Sequence, residues 1–327
     1  MILTKAPLRI SFFGGGTDLP SFYKDHGGAV LSVAIDKYMY IAINKTQHKY
    51  IRLSYSEIEQ VQNHMDLKHS LVRNAIEHYS DKYKIGLEIA SFADVPTVGT
   101  GLGSSSTFSV ALIKALTDLS SDTVTFTRCK IAEWACNLEI DVCGSPIGKQ
   151  DQYAAALGGM NHIRFNQDDS VSITPISLLP DLNEKLLLFY TGRTRFANSI
   201  LEKQNAEPKT DILLKMREQS NLGVHYLMTN QEDDFGSLLD DAWKLKTKLA
   251  DGISDPELDN IYEEGIKAGA LGGKILGAGG GGYFLFYCRQ ENQSKLIESM
   301  EKLNLLHVNF NFSVAGVETV FNDYNSL

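Results

Sequence analysis

Cysteine is scarce in this sequence: four residues in 327, at Cys129, Cys136, Cys143 and Cys288. None forms a Cys-x-x-Cys pair, so neither a zinc ribbon nor a dithiol redox motif is spelled. Three of them recur every seven residues, which suits semi-buried helical or loop positions rather than metal ligation. Free thiols in a reducing cytosol are expected, and with them a cytoplasmic location. No uninterrupted apolar run approaches the length of a membrane span. The opening stretch MILTKAPLRISFF carries Lys5 and Arg9 among its apolar residues, unlike a secretory signal. Positive charge is not in excess either: 31 Lys and Arg stand against 40 Asp and Glu, for a net charge of −9. Such a surface repels phosphodiester backbones and anionic lipid, so nucleic acid and membrane are set aside as partners. An anionic substrate would need a local basic cluster.

What is present is the balance of a globular protein, 43% hydrophobic and 22% charged. The length exceeds that of one usual core, so two domains are expected, 1–178 and 179–327, divided in the polar stretch Asn166 to Asp181. No repeat of fixed period is visible. Leu8 to Phe12, Ala29 to Ile43, Ile51 to Ser54 and Leu87 to Phe92 read as strands. Asp66 is placed to cap a helix reaching Tyr79, and Thr125 or Thr127 one reaching Glu139. A short helix spans Lys149 to Leu157. In the second half, helices are expected near 212–229, 233–250, 256–268 and 293–302. Strands are expected at Lys185 to Tyr190 and Tyr283 to Tyr287, with one or two more near 309–319. Strands and helices fall in runs rather than strict alternation, which argues for an α+β fold.

Two glycine-rich stretches carry chemistry. In Gly99-Thr100-Gly101-Leu102-Gly103-Ser104-Ser105-Ser106, small residues let backbone amides approach a ligand. A helical pattern follows, and helix amino termini favour anions. Serine hydroxyls can bond phosphate or ligate Mg²⁺. A capped helix after a flexible turn would read alike. The spelling is not a Walker A loop, because no Gly-Lys-Ser/Thr ends it. The second stretch, Lys274 to Gly282, satisfies Gly-x-Gly-x-x-Gly formally but runs into a strand instead of opening a helix, so a dinucleotide site is rejected. Backbone packed closely on another loop or a ligand is the better reading.

Two carboxylates stand between these stretches. Glu139 closes its expected helix and Asp151 opens the next. Taken singly, they read as a solvated helix end and a helix cap. A metal–nucleotide site needs a carboxylate for Mg²⁺, and phosphoryl transfer needs a group that orients or deprotonates the attacking hydroxyl.

Three pieces together are more specific. Pro7 to Asp18 (PLRISFFGGGTD) resembles the first motif of the GHMP kinases, the superfamily of galactokinase, homoserine kinase and mevalonate kinase. Pro96 to Ser106 resembles their phosphate-binding second motif, and Lys274 to Gly282 their third. Order and spacing agree over nearly the whole chain. The resemblance implies a two-domain α+β fold with the active site in the inter-domain cleft, and it implies ATP and Mg²⁺. On it, Gly99, Gly101, Leu102, Gly103, Ser104, Ser105 and Ser106 would cradle the triphosphate, with Gly279 and Gly280 buttressing. Ser105, or a neighbour, and Glu139 would hold Mg²⁺. Asp151 would face the substrate hydroxyl, and Arg9 would stabilise the transition state. Asp18, with Gly15, Gly16 and Thr17, would bind the sugar.

Galactokinases carry Gly-Glu-His-Thr-Asp where this chain has Gly14-Gly15-Gly16-Thr17-Asp18, so galactose itself is not implied. The spellings GGGTDLPSFY, GKQDQYAAALGG and Tyr190 to Arg195 look most like D-glycero-D-manno-heptose 7-phosphate kinases. Those enzymes phosphorylate the anomeric hydroxyl to a 1,7-bisphosphate, ahead of the nucleotidyl transfer that activates the heptose. Fucokinase-type enzymes have a related first motif. Within this reading Lys149 joins Arg9 in offsetting charge. Arg193 and Arg195 are candidates for the existing sugar phosphate, a solvated loop being equally open for them. The expected partners are therefore a small sugar phosphate and ATP, and the reading admits a homodimer.

Overall fold

The structure is a computed structural model that describes residues 1–80, 83–96, 99–120, 126–194, 198–206 and 209–325. The first half runs β1 (Ile2–Phe13), α1 (Pro20–His26), β2 (Gly28–Lys45), β3 (Ile51–Ser54), β4 (Ile58–Val61), α2 (Ser70–Tyr79), β5 (Leu87–Ala93), α3 (Ser104–Ser120), α4 (Arg128–Cys136), α5 (Gln150–Leu157), β6 (Met160–Phe165) and β7 (Val171–Ile176). The second runs α6 (Pro180–Glu184), β8 (Leu186–Tyr190), α7 (Asn198–Ala206), α8 (Thr210–Met228), α9 (Glu232–Lys246), α10 (Pro256–Lys267), β9 (Ala270–Ile275), β10 (Tyr283–Cys288), α11 (Gln290–Lys302), β11 (Leu306–Val308) and β12 (Glu318–Asn322).

An eight-stranded sheet carries the order β12-β1-β2-β5-β3-β4, with β6 and β7 branching from β2. The branch exists because β2 is long. Gly28 to Val33 pairs with β6, and Met39 to Lys45 pairs with β5. A four-stranded antiparallel sheet, β11-β8-β10-β9, forms the second layer. The fold is α+β, as its grouped elements predict. The last strand returns to pair with β1, so the domain division we propose near residue 178 gives β12 back to the first sheet.

Between the layers lies a core that fixes the cleft's floor. Phe12 and Phe13 at the end of β1 meet Phe235 of α9 edge-on, with ring centroids 5.1 and 5.0 Å away. All three are buried, and each such side chain contributes about 2–3 kcal/mol of burial. The first motif therefore enters the cleft from a rigid strand end.

Three local expectations change. Asp66 does not cap α2. His64 to Asp66 make a separate 3-10 turn, Leu67 is buried, and the Glu59 carboxylate accepts the N–H groups of Lys68 and His69 just ahead of the helix. Thr127 caps α4, accepting from the Lys130 N–H at 3.2 Å, while Thr125 lies outside the described residues. α4 then stops at Cys136, and Asn137–Val142 continues as a π-helical turn. Glu139 stands inside that turn, not at a solvated end. The polar stretch after Asn166 contains β7, whose side chains are all half-buried or exposed, a pattern that composition reads as linker.

Candidate active site

The two glycine stretches meet. Gly99, Gly101 and Gly103 take φ of 64°, 82° and 77°, a region that glycine enters without steric penalty. A Cβ at Gly101 would sit 2.4 Å from the Leu276 oxygen, and one at Gly277 would sit 2.4 Å from the Gly101 Cα. The Tyr283 N–H donates to the Thr100 oxygen (3.2 Å) and the Arg9 N–H to the Leu102 oxygen (3.1 Å). Both loops are thus mated to each other and tied to β1. α3 starts at Ser104, so the serine run forms its first turn, at the positive end of the helix dipole. In the third motif Gly277 and Gly282 make the contact, a Cβ at Gly282 falling 2.3 Å from the Thr100 oxygen. Gly279 and Gly280 instead lie against Ile253, whose oxygen accepts the Gly280 N–H at 2.9 Å.

A cleft of about 560 Å³ opens here. Gly99, Gly101, Gly103 and Ser104 to Ser106 line it, whereas Leu102 is buried behind them. At one end the His69 ring stacks on Phe108 with centroids 5.4 Å apart, and Tyr55 meets His69 edge-on at 4.8 Å. Burial pushes the His69 pKa down, keeping the ring neutral and suited to stacking against a flat base.

The carboxylates occupy the middle. Asp151, in the first turn of α5, is gripped by Arg9: Nε donates to Oδ1 and Nη2 to Oδ2, both at 2.8 Å, while Nη1 donates to the Gly101 oxygen at 2.6 Å. Arg9 is buried and Asp151 keeps partial access to the cleft. Asp18 is buried beside them. It accepts the Gly16 N–H (3.0 Å), the Gln150 N–H (3.2 Å) and the Gln150 Nε2 (3.1 Å). Gln150 Oε1 in turn accepts from the Ser11 hydroxyl at 2.8 Å. Burial, helped by nearby Asp151, raises the Asp18 pKa to about 6. Glu139 is buried too, and desolvation raises its pKa to about 7 against the opposing bonds from Gln152 and Ser106. Gln152 Nε2 donates to its Oε2 at 2.7 Å, and the Ser105 hydroxyl to Oε1 at 3.4 Å.

These residues fit a phosphate-bound magnesium ion. Mg²⁺ takes one or two protein ligands and keeps its waters. Glu139 and Ser105, 3.4 Å apart at the head of α3, would supply such a pair. Among the described residues, the buried Thr100 Oγ1 of the cleft lining has no hydrogen-bond partner, leaving a polar atom for a ligand or its water. No group of three or more His, Cys, Asp or Glu placed to hold a metal occurs among the described residues.

Some expected residues go elsewhere. Lys149 points into a second cleft, where its Nζ donates to Asp169 Oδ1 (2.6 Å) and lies over the Tyr23 ring. Its position as helix N-cap turns it away from Asp151. Arg193 is held by Asp255 (2.5 Å) and Glu257 (3.0 Å) at the head of α10, which spends its charge away from the cleft lining. Arg195 lies outside the described residues. Gly15 and Gly16 line the cleft. Thr17 does not: its buried hydroxyl bonds the Gly14 and Ala29 backbone oxygens. Gln150, braced by Ser11, and Gln152 orient the carboxylates, and Lys246 and Lys274 stand buried in the cleft wall, roles that no motif marks. For Lys246 a signal existed. It continues the apolar stripe Leu239, Ala242, Trp243 of α9, and a lysine on a buried face calls for a reason.

Comparison with known proteins gives the family. The family model for the GHMP kinases N terminal domain matches residues 70–159, and that for the GHMP kinases C terminal matches 224–304. The D-glycero-alpha-D-manno-heptose 7-phosphate kinase of Campylobacter jejuni is 28% identical, over 97% of this chain and 98% of its own. The bifunctional fucokinase/GDP-fucose pyrophosphorylase of Arabidopsis thaliana is 24% identical over 88% of this chain but only 30% of its own. A crystal structure of a D-glycero-D-manno-heptose 1-phosphate kinase from Bacteroides thetaiotaomicron superposes with a TM-score of 0.81, at 24% identity, covering 99% of this chain and 100% of that one. That likeness shows the fold. No helix among the described residues is long and apolar enough to cross a membrane.

Proposed function

The chain belongs to the GHMP kinases, phosphotransferases with ATP as donor and an alcohol as acceptor, and from that membership we propose that it phosphorylates the anomeric hydroxyl of D-glycero-D-manno-heptose 7-phosphate. The product is the 1,7-bisphosphate, a precursor of nucleotide-activated heptose, made in the cytoplasm. The observation that carries the reading is the position of Asp151. It stands between the serine turn of α3 and the sugar-side carboxylate Asp18, fixed by the two-pronged grip of Arg9.

Positioning and charge stabilisation do most of the work in phosphoryl transfer. The backbone N–H groups of the Gly101 to Ser106 loop bind the donor phosphates. Asp18 and the Gly15–Gly16 backbone orient the sugar. Asp151 accepts a hydrogen bond from the attacking hydroxyl and aligns it for in-line attack. Arg9 holds that carboxylate in place and offsets charge on the transferring group. Glu139 and Ser105 would hold Mg²⁺, which when bound would supply charge neutralisation at the phosphates. The full-length relative from C. jejuni supports the choice of sugar.

Turnover of labelled ATP with heptose 7-phosphate, free heptose, fucose, galactose and mevalonate tests this. The highest kcat/KM should belong to heptose 7-phosphate. A higher value for any other acceptor would replace it as the substrate.

A further inference from the structure

Two lysines stand in the cleft wall without an anion to balance them. Lys246, at the end of α9, is 6% exposed and Lys274, in β9, is 4% exposed. Lys246 Nζ donates to the oxygens of Ile275 (2.8 Å) and Gly277 (2.5 Å). Lys274 Nζ donates to those of Ser11 (3.1 Å) and Phe12 (2.6 Å). When protonated, each lysine has a third N–H beyond these bonds, and both residues line the cleft. Among the described residues neither forms an ion pair with a carboxylate. The charges acting on them are like charges: Lys274 and Arg9 on Lys246, and Arg9 on Lys274. Arg9 itself is shared with Asp151.

Burying unpaired ammonium groups together is costly, and burial with the like charges nearby accordingly lowers the pKa of both lysines. An anion in the cleft would restore their charge and complete the arrangement. The adjoining backbone says which kind. Gly277, whose oxygen Lys246 holds, touches Gly101 of the phosphate loop. Ser11, whose oxygen Lys274 holds, bonds Gln150 on the sugar side. We infer that Lys246 and Lys274, beside Arg9, form a subsite for phosphoryl oxygens in the cleft. The inference rests on the kinase reading and deepens it. The oxygens belong either to the donor's terminal phosphate or to the acceptor's own phosphate, a role that Arg193 cannot take while held by Asp255 and Glu257.

Inorganic tripolyphosphate titrated calorimetrically into the full chain, Lys246→Met and Lys274→Met tests the subsite without reference to any sugar. Each variant should bind about tenfold more weakly, as expected for loss of one charge-assisted bond. Equal affinity in all three proteins overturns the inference. Should a variant fail to fold, crystals of the unaltered chain soaked with tripolyphosphate decide: phosphoryl oxygens within hydrogen-bond reach of the Lys246 or Lys274 Nζ support the inference. Tripolyphosphate bound out of reach of both overturns it. Steady-state kinetics separate the two sources. A donor site raises the KM for ATP, or lowers kcat, with every acceptor. An acceptor-phosphate site raises only the KM of the phosphorylated sugar. If heptose 7-phosphate proves not to be a substrate, the tripolyphosphate result stands unaffected, so failure of the two readings is distinguishable.

Discussion

Gly101 and Gly277 touch backbone to backbone: the space a side chain would need at either position is filled by the other loop. This contact joins the second and third glycine motifs into one wall, with Leu276 and Thr100 hydrogen-bonded to Tyr283 on the far side.

Gly277→Ala should therefore be costly. The new Cβ meets the Gly101 Cα, and φ is +69°, so a loss of roughly 1–3 kcal/mol is expected. The displaced phosphate loop should also raise the KM for ATP. Gly192→Ala is the control, because φ is +71° there but nothing lies within 4 Å. It should lower the melting temperature less and leave the KM for ATP alone.

The buried carboxylates make stability depend on pH in a definite direction. The Glu139 pKa rises from 4.5 to about 7 on folding. The protonated form is favoured in the folded chain, so its stabilising contribution is complete below the unfolded value and is lost as pH rises through the folded one. Asp18, raised to about 6, acts in the same sense. Lys274, lowered to about 7, acts in the opposite sense above that pH, so the Glu139 contribution is read as a difference: without nucleotide or metal, the melting temperature of the unaltered chain should fall by a few degrees relative to that of Glu139→Gln between mildly acidic and neutral pH. Affinity for Mg²⁺ should rise over the same range, because the ion displaces the proton. A melting temperature that climbs with pH in the unaltered chain but not in Glu139→Gln contradicts this.

Lys149→Ala should leave kcat and the KM for ATP within about twofold, because its partner is Asp169 in a separate cleft. The pair is half open to solvent on the aspartate side, so less than about 1 kcal/mol of stability should go with it. Thermal melts and steady-state rates check both.

Much of the site is legible where chemistry follows from local spelling. The loop Gly99 to Ser106 announces positive φ angles and a helix start, and both occur. The register of apolar residues in β1, β2 and β5 likewise announces strands. What stays hidden depends on partners far away in sequence. Asp255 and Glu257 reach Arg193 from about sixty residues on, and no pattern around Arg193 tells of them. Glu59 ends the approach to α2 from another strand and so displaces Asp66 as its cap. Glu139 reads as a helix end because the π-helical turn that buries it has no sequence mark of its own. Lys149 and Asp151 are two residues apart, yet on a helix start that spacing sends them to different clefts.

The central claim is that Asp151, gripped by Arg9, addresses the acceptor hydroxyl while the Gly101 to Ser106 loop holds the donor. Rapid-quench single turnover with Asp151→Asn, alongside nucleotide affinity measured by direct titration, tests it most directly. The account predicts that affinity for ATP stays within about threefold while the chemical step slows by roughly two decades or more. A folded variant whose chemical step keeps the rate of the unaltered chain contradicts it.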